Sequence, residues 1–215
     1  MIRDLSAAVR ESLAEAEPIL VFLAGPNGAG KSTFFRDYLR PLGLPFVNAD
    51  EIARELREAA PSGMEELDAI AFEKAEELRG AMVSGRISFC TETVFSDPQG
   101  AKLAFLSRAR AAGFRVFLVF IGISDPELSI ARVMQRVEEG GHDVPDDRLR
   151  GRYPRTMANL RAAISVVDEA FLFDNSSDRE PFRAVAIFSE GQLVDSIDPV
   201  PAWATGLPGF SPDEG

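Results

Sequence analysis

The sequence predicts an α/β fold in which a mostly parallel five-stranded sheet carries helices on both faces and ends in a C-terminal β-hairpin. Three observations predict this three-layer sandwich. A short apolar run at residues 19–23 leads through a glycine-rich stretch into a helical segment, and strands then alternate with amphipathic helices along the chain. The run Phe114 to Ile121 is apolar apart from Arg115, as expected for a strand buried on both faces.

The glycine-rich stretch matches the phosphate-binding loop pattern of Gly, four residues, Gly, Lys and then Ser or Thr. Its residues are Gly25, Pro26, Asn27, Gly28, Ala29, Gly30, Lys31, Ser32 and Thr33. Glycines let backbone N–H groups converge on phosphate oxygens, and the start of the following helix adds partial positive charge. Lys31 is expected to reach the terminal phosphates and Ser32 to ligate a bridging Mg²⁺. The fold class is therefore that of the P-loop NTPases.

The other elements follow from the spacing of apolar residues and from Gly and Pro breaks. Helices are predicted over residues 3–16, 34–39, 51–60, 64–84, 99–112, 126–139 and 147–167. Strands are predicted over 19–23, 44–48, 87–91, 114–121 and 170–173, and the hairpin over 182–188 and 192–197. We expect one domain over residues 1–198, a lid at about 136–152 and an irregular tail over 199–215.

Composition restricts the partners and the compartment. The net charge of −11 and the pI of about 4.7 argue against nucleic-acid and anionic-membrane partners, which select basic surfaces. The single cysteine, Cys90, cannot form an internal disulfide and is expected to be a buried strand thiol. No signal peptide or membrane-spanning run is apparent. We expect a soluble cytoplasmic protein.

Polar residues follow several predicted strands at the point where each strand ends. They are Asp50, Glu92, Thr93 and Asn175. Because ligands of open parallel sheets bind beyond the carboxyl ends of the strands, we expect these residues to converge. Asp50 can accept a proton from a hydroxyl group, and it can also cap a helix starting at Glu51. Both roles can hold together.

Seven arginines surround the loop at residues 140–145, the expected place for a lid. They are Arg132, Arg136, Arg148, Arg150, Arg152, Arg155 and Arg161. A lid can supply positive charge to a transferring phosphoryl group, although an arginine-rich chain also places arginines on solvated helix faces. His142, the only histidine, has no companions for a metal site and is assigned a structural or lid-positioning role.

Missing motifs narrow the class of P-loop protein. The chain has neither the Leu-Ser-Gly-Gly-Gln signature nor the closing Asp-Glu pair of ABC-type ATPases, and it lacks the Asn-Lys-x-Asp stretch of GTPases. The remaining class is the small kinases, in which lid arginines and a proton-accepting carboxylate act on the transferred phosphoryl group.

Five stretches together resemble the zeta-toxin family of P-loop kinases, and most of all its compact stand-alone branch. They are residues 25–33, 48–53, 91–96, 140–145 and 173–176, and the likeness covers roughly residues 18–177. The resemblance implies an ATP- and Mg²⁺-dependent kinase that phosphorylates a hydroxyl of a sugar nucleotide such as UDP-N-acetylglucosamine. It also implies a possible antitoxin protein as partner. The alternative from another class is a nucleotide-dependent regulatory ATPase or binding protein that acts through a protein partner.

The resemblance also implies a role for each candidate residue. Lys31 and Ser32 would handle phosphate and Mg²⁺, and Asp50 would be the general base. Glu92 and Thr93 would hold the sugar nucleotide. Asn175 would lie near adenine. Arg132 and a second lid arginine would stabilise the transferred group. The candidates for the second arginine are Arg136, Arg148 and Arg152.

Overall fold

The computed structural model describes residues 1–15, 17–59, 64–138 and 144–210. Within these residues seven strands form one sheet. The strands are β1 Ile19–Ala24, β2 Phe46–Val47, β3 Phe89–Thr93, β4 Arg115–Gly122, β5 Glu169–Asp174, β6 Arg183–Ser189 and β7 Gln192–Ser196. The α-helices are α1 Ile2–Ala14, α2 Lys31–Phe34, α3 Ala49–Ala59, α4 Met64–Ser84, α5 Ala101–Ala111, α6 Pro126–Glu138 and α7 Asp146–Ile164.

The sheet confirms the predicted fold class. Its order is β2-β3-β1-β4-β5-β6-β7, with the first five strands parallel and the C-terminal hairpin antiparallel at one edge. β1 lies in the middle and is buried along its whole length. Its last two residues, Leu23 and Ala24, pair with Glu92 and Thr93 of β3. The phosphate-binding loop therefore leaves the sheet directly beside the candidate acceptor residues.

Alternate side chains of the strands fill two apolar layers. On one face α4, α5 and α7 cover residues such as Phe22 and Phe120. On the other face α1 and the segment after the phosphate-binding loop cover residues such as Val21 and Phe173. Ligands of open parallel sheets bind beyond the carboxyl ends of the strands, so we expect the ligand site at this edge.

Two strands differ from their predicted bounds for local reasons. β3 begins at Phe89, because the amide of Ile87 donates to the carbonyl of Met82 (2.9 Å) and so belongs to the end of α4. β2 comprises only Phe46–Val47, since the preceding Pro45 has no N–H with which to pair. The shift of β3 places Glu92 inside the strand instead of just beyond it.

Two helix starts also differ from the prediction. The helix after the phosphate-binding loop begins already at Lys31, and it continues as a π-helical turn over Phe35–Leu39 and a 3₁₀ turn over Arg40–Leu42. α3 begins at Ala49, because the Asn48 side chain accepts a hydrogen bond from the Asp50 amide (2.8 Å). The prediction that Asp50 caps a helix starting at Glu51 is therefore wrong.

The C-terminal segment over residues 199–210 contains turns and packs on the end of the sheet. The Trp203 ring lies against Gly122, and its Nε1 donates to Asp174 Oδ1 (2.8 Å). The predicted tail continues through 211–215, and His142 with most of the predicted lid loop falls at 139–143; both stretches lie outside the described residues. None of the helices in the described residues is both long and apolar enough to cross a bilayer.

Candidate active site

The phosphate-binding loop has a backbone shape that only glycine permits at two positions. Gly25 has φ of 149°, and a Cβ there would lie 2.2 Å from the Ile121 carbonyl oxygen. Gly30 has φ of 88°, and a Cβ there would lie 2.6 Å from Asn175 Nδ2. Both glycines are needed for the loop to pass this close to β4 and to the segment after β5.

Side chains outside the loop hold three of its consecutive carbonyls. Ser129 Oγ donates to the carbonyl of residue 27 (2.7 Å), Arg132 approaches that of residue 28 (3.5 Å), and Asn175 Nδ2 donates to that of residue 29 (2.9 Å). Because the carbonyls are bound from outside, the loop is held in the form that directs N–H groups inward. This arrangement can bind phosphate oxygens.

Lys31 is buried within the loop, with 7% of its side chain exposed. Its Nζ donates to the Pro26 carbonyl (2.9 Å) and lies 3.9 Å from Glu92 Oε1. Burial lowers the pKa of Lys31, and Glu92 and Asp50 oppose that shift. A phosphate entering the loop would offer this ammonium a stronger partner than a neutral carbonyl.

Glu92 is a carboxylate that contacts two residues of the loop, Lys31 and Ser32. It accepts hydrogen bonds from Asn48 Nδ2 (3.2 Å) and from Ser32 Oγ (3.4 Å), both at Oε2. Burial raises the pKa of Glu92, while the Lys31 ammonium opposes the shift. The buried carboxylate is thus held by one cation and two neutral donors.

Asp50 and two arginines complete the cluster. Asp50 is exposed in the first turn of α3 and interacts electrostatically with Lys31 and Glu92. Arg136 and Arg152 both act on the charge of Lys31, and Arg152 is also attracted by Asp50. Burial lowers the pKa of Arg152, and repulsion from neighbouring arginines lowers it further.

The predicted site residues therefore separate into two groups. Lys31, Ser32, Asp50, Glu92, Arg136 and Arg152 are linked by a hydrogen bond or by electrostatic interactions near the carboxyl edge of the sheet. Arg132 and Asn175 instead support the phosphate-binding loop from outside. Arg132 Nη1 donates to the Asn175 carbonyl (2.6 Å) and its Nη2 to Asp178 (2.9 Å), while Asn175 Oδ1 accepts from the Phe182 amide (3.3 Å).

Thr93 stands next to Glu92 at the end of β3. Its Oγ1 accepts a hydrogen bond from the Phe95 amide (3.2 Å), which leaves the hydroxyl proton for another acceptor. Cys90, two residues before Glu92, is buried in the strand as predicted, and burial raises its pKa well above the usual range. Its thiol is therefore a core group and not a nucleophile.

Sequence reasoning missed Asn48, which joins the start of α3 to Glu92. The available signal was local, because asparagine is among the strongest helix-capping residues and stands two positions before Asp50. Ser129 was missed as well, and no local pattern marks it. Its contact with the phosphate-binding loop spans 102 positions of the chain.

Comparisons with known proteins identify the family. The family model for the zeta toxin matches residues 4–180. An uncharacterized protein of Haemophilus influenzae is 30% identical over 145 residues, which cover 67% of this chain and 99% of that protein.

Solved structures share the fold. The AvrRxo1-ORF1:AvrRxo1-ORF2 structure with sulphate ions superimposes with a TM-score of 0.67 at 19% identity, over 90% of this chain and 66% of the other. A structure of the PezAT chromosomal toxin-antitoxin system of Streptococcus pneumoniae gives a TM-score of 0.57 at 17% identity. The match covers 90% of this chain and 79% of the other. The chain belongs to the zeta toxin family, and it is a nucleotide-dependent kinase built on the P-loop fold.

Proposed function

We propose that this kinase transfers the γ-phosphoryl group of ATP, with Mg²⁺, to a hydroxyl of a sugar nucleotide such as UDP-N-acetylglucosamine. The observation that carries the proposal is the cluster of Lys31, Glu92 and Asp50 at one sheet edge. Lys31 is the cation that would bind phosphate, and Asp50 is an exposed carboxylate that interacts electrostatically with Lys31 and Glu92. This is the arrangement that transfer between a triphosphate and a bound hydroxyl requires.

The residues of the phosphate-binding loop fit a triphosphate with Mg²⁺. Ser32 Oγ lies 3.4 Å from Glu92 Oε2, so a hydroxyl and a carboxylate oxygen are close together, and oxygens of this type suit Mg²⁺. When bound, Mg²⁺ would neutralise charge on the phosphates. Lys31 would exchange the Pro26 carbonyl for the terminal phosphates.

Asp50 is the proposed general base. Its carboxylate is exposed, it lies on a helix start that Asn48 fixes, and it faces the charge of Lys31. It would orient the acceptor hydroxyl and accept its proton as the phosphoryl group transfers. Glu92 and Thr93 would hold the acceptor beside it.

Arginines on α7 support an acceptor that is itself negatively charged. Arg152 is half-buried and repelled by Arg148 and Arg155. Within the described residues, neither Arg148 nor Arg152 has a hydrogen bond or an ion pair. Such like-charged side chains are stabilised when an anion binds among them, and a diphosphate-linked sugar would supply one. Arg136 and Arg152 would act on the transferred group.

Mass spectrometry tests the proposal. Purified protein is incubated with ATP, Mg²⁺ and a panel of UDP-sugars, and the Lys31→Ala variant serves as the control. We expect one panel member to gain a single phosphoryl group with the wild type and none with the variant. An unchanged panel would overturn the acceptor assignment.

We further propose that an antitoxin protein controls the enzyme. A solved neighbour described as a toxin-antitoxin system supports this partner. Cells expressing the wild type alone should grow more slowly than cells expressing Asp50→Asn. Equal growth at equal protein levels would argue against toxicity and hence against the need for an antitoxin.

A further inference from the structure

We propose that Thr156 and Asn159 are positioning residues that fix the arginine-bearing face of α7 to residues 94–97, which we name the acceptor loop. This inference rests on the proposed function and adds a structural link between the acceptor side of the site and the phosphate side. Neither residue is among the groups that would touch substrate.

α7 binds four consecutive carbonyl oxygens of the acceptor loop. Thr156 Oγ1 donates to the carbonyl of residue 94 (2.9 Å), and Arg155 Nε donates to that of residue 96 (3.0 Å). Asn159 Nδ2 donates to the carbonyls of residues 95 (2.9 Å) and 97 (3.1 Å). Thr156 is completely buried, so water cannot replace its hydrogen bond.

The acceptor loop has a shape that needs such support. Phe95 has φ of 62°, a left-handed conformation that is unfavourable for a bulky residue. Its ring is buried against Phe22 of β1, with centroids 5.2 Å apart, and its amide donates to Thr93 Oγ1. The loop therefore directly follows Thr93, which is proposed to hold the acceptor. It packs against β1 through Phe95 and is hydrogen-bonded to α7.

The same face of α7 carries the arginines. Arg148, Arg152, Thr156 and Asn159 are spaced by four, four and three residues, which places them along one side of a helix. Arg152 interacts with Asp50, while Thr156 and Asn159 bind the loop that follows Glu92 and Thr93. The acceptor loop and Arg152 are consequently joined through one helix, which continues through Pro154 between Arg152 and Thr156.

Loss of these hydrogen bonds should weaken acceptor binding and slow phosphoryl transfer, and it should leave ATP binding unchanged. We expect Asn159→Ala, which frees two carbonyls, to raise the KM for UDP-N-acetylglucosamine about tenfold and to lower kcat, as expected when two hydrogen bonds that order a site are lost. The KM for ATP should stay within about twofold, because the Asn159 side chain donates to the acceptor loop and not to the phosphate-binding loop. Thr156→Val should act in the same direction and Thr156→Ser should restore the wild-type values.

Two controls separate positioning from a general loss of stability. Thr205→Val removes a similar hydroxyl-to-carbonyl bond, from Thr205 to Ala202 (2.9 Å), at an exposed turn of the C-terminal segment. This turn meets α7 only near the end of the helix, where Gly206 accepts a hydrogen bond from Arg161, so the variant should leave both KM values unchanged. In an Arg152→Ala background, Asn159→Ala should lower kcat less than it does in the wild type, because the residue acts through Arg152. Equal effects on the two KM values, or full additivity with Arg152→Ala, would overturn the proposal.

Hydrogen exchange tests the link even if no acceptor is phosphorylated. Asn159→Ala should speed amide exchange in peptides covering 93–98 and 146–155 relative to Thr205→Val, with the peptide covering 19–24 unchanged. Failure of the kinase assay with faster exchange in both regions would reject the proposed function alone. Unchanged exchange in either region would reject the link between α7 and the acceptor loop.

Discussion

Asn48 joins two parts of the site through a single side chain. Its Oδ1 accepts from the Asp50 amide at the start of α3, and its Nδ2 donates to Glu92. The side chain is buried, so water cannot readily take over either bond. The positions of Asp50 and Glu92, the two carboxylates proposed to act on the acceptor, thus depend on the Asn48 side chain.

Replacing Asn48 separates these two bonds. Asn48→Ala should lower the free energy of unfolding by about 1–2 kcal/mol, as expected for a lost helix cap. Asn48→Asp keeps the capping oxygen but places a second carboxylate beside Glu92, so it should retain the helix and weaken binding of anionic substrates. Urea unfolding measures the first effect and titration with ATP and UDP-sugars the second. Equal stability of Asn48→Ala and the wild type would contradict the role as a cap.

Glu92 should make stability depend on pH in a predictable direction. Burial raises its pKa in the folded protein above the ordinary value of 4.5, so the folded state binds the proton more readily than the unfolded state. The cost of the buried charge is therefore present at neutral pH and is removed as the pH falls towards 4.5.

The matched variant Glu92→Gln cannot titrate at this position. The wild type should gain stability relative to Glu92→Gln as the pH is lowered from 7 towards 4.5. Urea unfolding of both proteins across this range, without nucleotide, gives the difference directly. A relative loss of wild-type stability on acidification would show that the Lys31 ammonium dominates burial at this site.

At the scale of elements, the phosphate-binding loop depends on glycine for two reasons that a pair of variants can separate. Gly30 and Gly43 both have left-handed φ, of 88° and 74°. A Cβ at Gly30 would lie 2.6 Å from Asn175 Nδ2, whereas one at Gly43 has no atom within 4 Å. Of these two glycines, only Gly30 combines backbone strain with a steric clash.

Gly43→Ala should cost about 1 kcal/mol of unfolding free energy, the usual cost of a left-handed alanine, and leave ATP affinity unchanged. Gly30→Ala should cost more and weaken ATP binding at least about tenfold, because Asn175 must release the Ala29 carbonyl that it holds. Thermal unfolding and calorimetric ATP titration compare the two. Similar losses of ATP affinity would contradict the role assigned to Asn175.

The elements also show what sequence alone can and cannot predict. The phosphate-binding loop and the alternation of strands and helices were sufficient to predict the strands and their mostly parallel arrangement, since both are local patterns. The start of β3 was predicted two residues too early, because the bond from Ile87 to Met82 closes α4 and no composition marks it. The supporting contacts of Ser129 and Asn159 link segments more than 60 residues apart, and local patterns carry no signal for them.

At the scale of the whole molecule, the C-terminal segment is part of the domain core. Ala204 and Leu207 are buried, and Trp203 covers the end of β4 while donating to Asp174. Asp174 immediately precedes Asn175, which holds the phosphate-binding loop. The segment therefore supports the edge of the sheet from which the site is built.

Removal of residues 199–215 should lower the stability of the entire domain. Burial of one large aromatic and two smaller apolar side chains corresponds to a loss of about 3–5 kcal/mol. We expect the truncated protein to unfold in a single transition at a lower Tm than the wild type. Trp203→Phe loses only the hydrogen bond and part of the ring, so its Tm should lie between those of the wild type and the truncated protein. An unchanged Tm after truncation would show that the segment is dispensable.

The central claim is that the phosphate-binding loop and Asp50 act on the two sides of one transferred phosphoryl group. Asp50→Asn tests it most directly, because the amide keeps the size of the side chain and cannot accept the proton. Transfer to UDP-N-acetylglucosamine and calorimetric binding of ATP with Mg²⁺ are measured on the same preparation. We expect a loss of transfer of at least about a hundredfold, with ATP affinity within about twofold of the wild type. Transfer at the wild-type rate would contradict it.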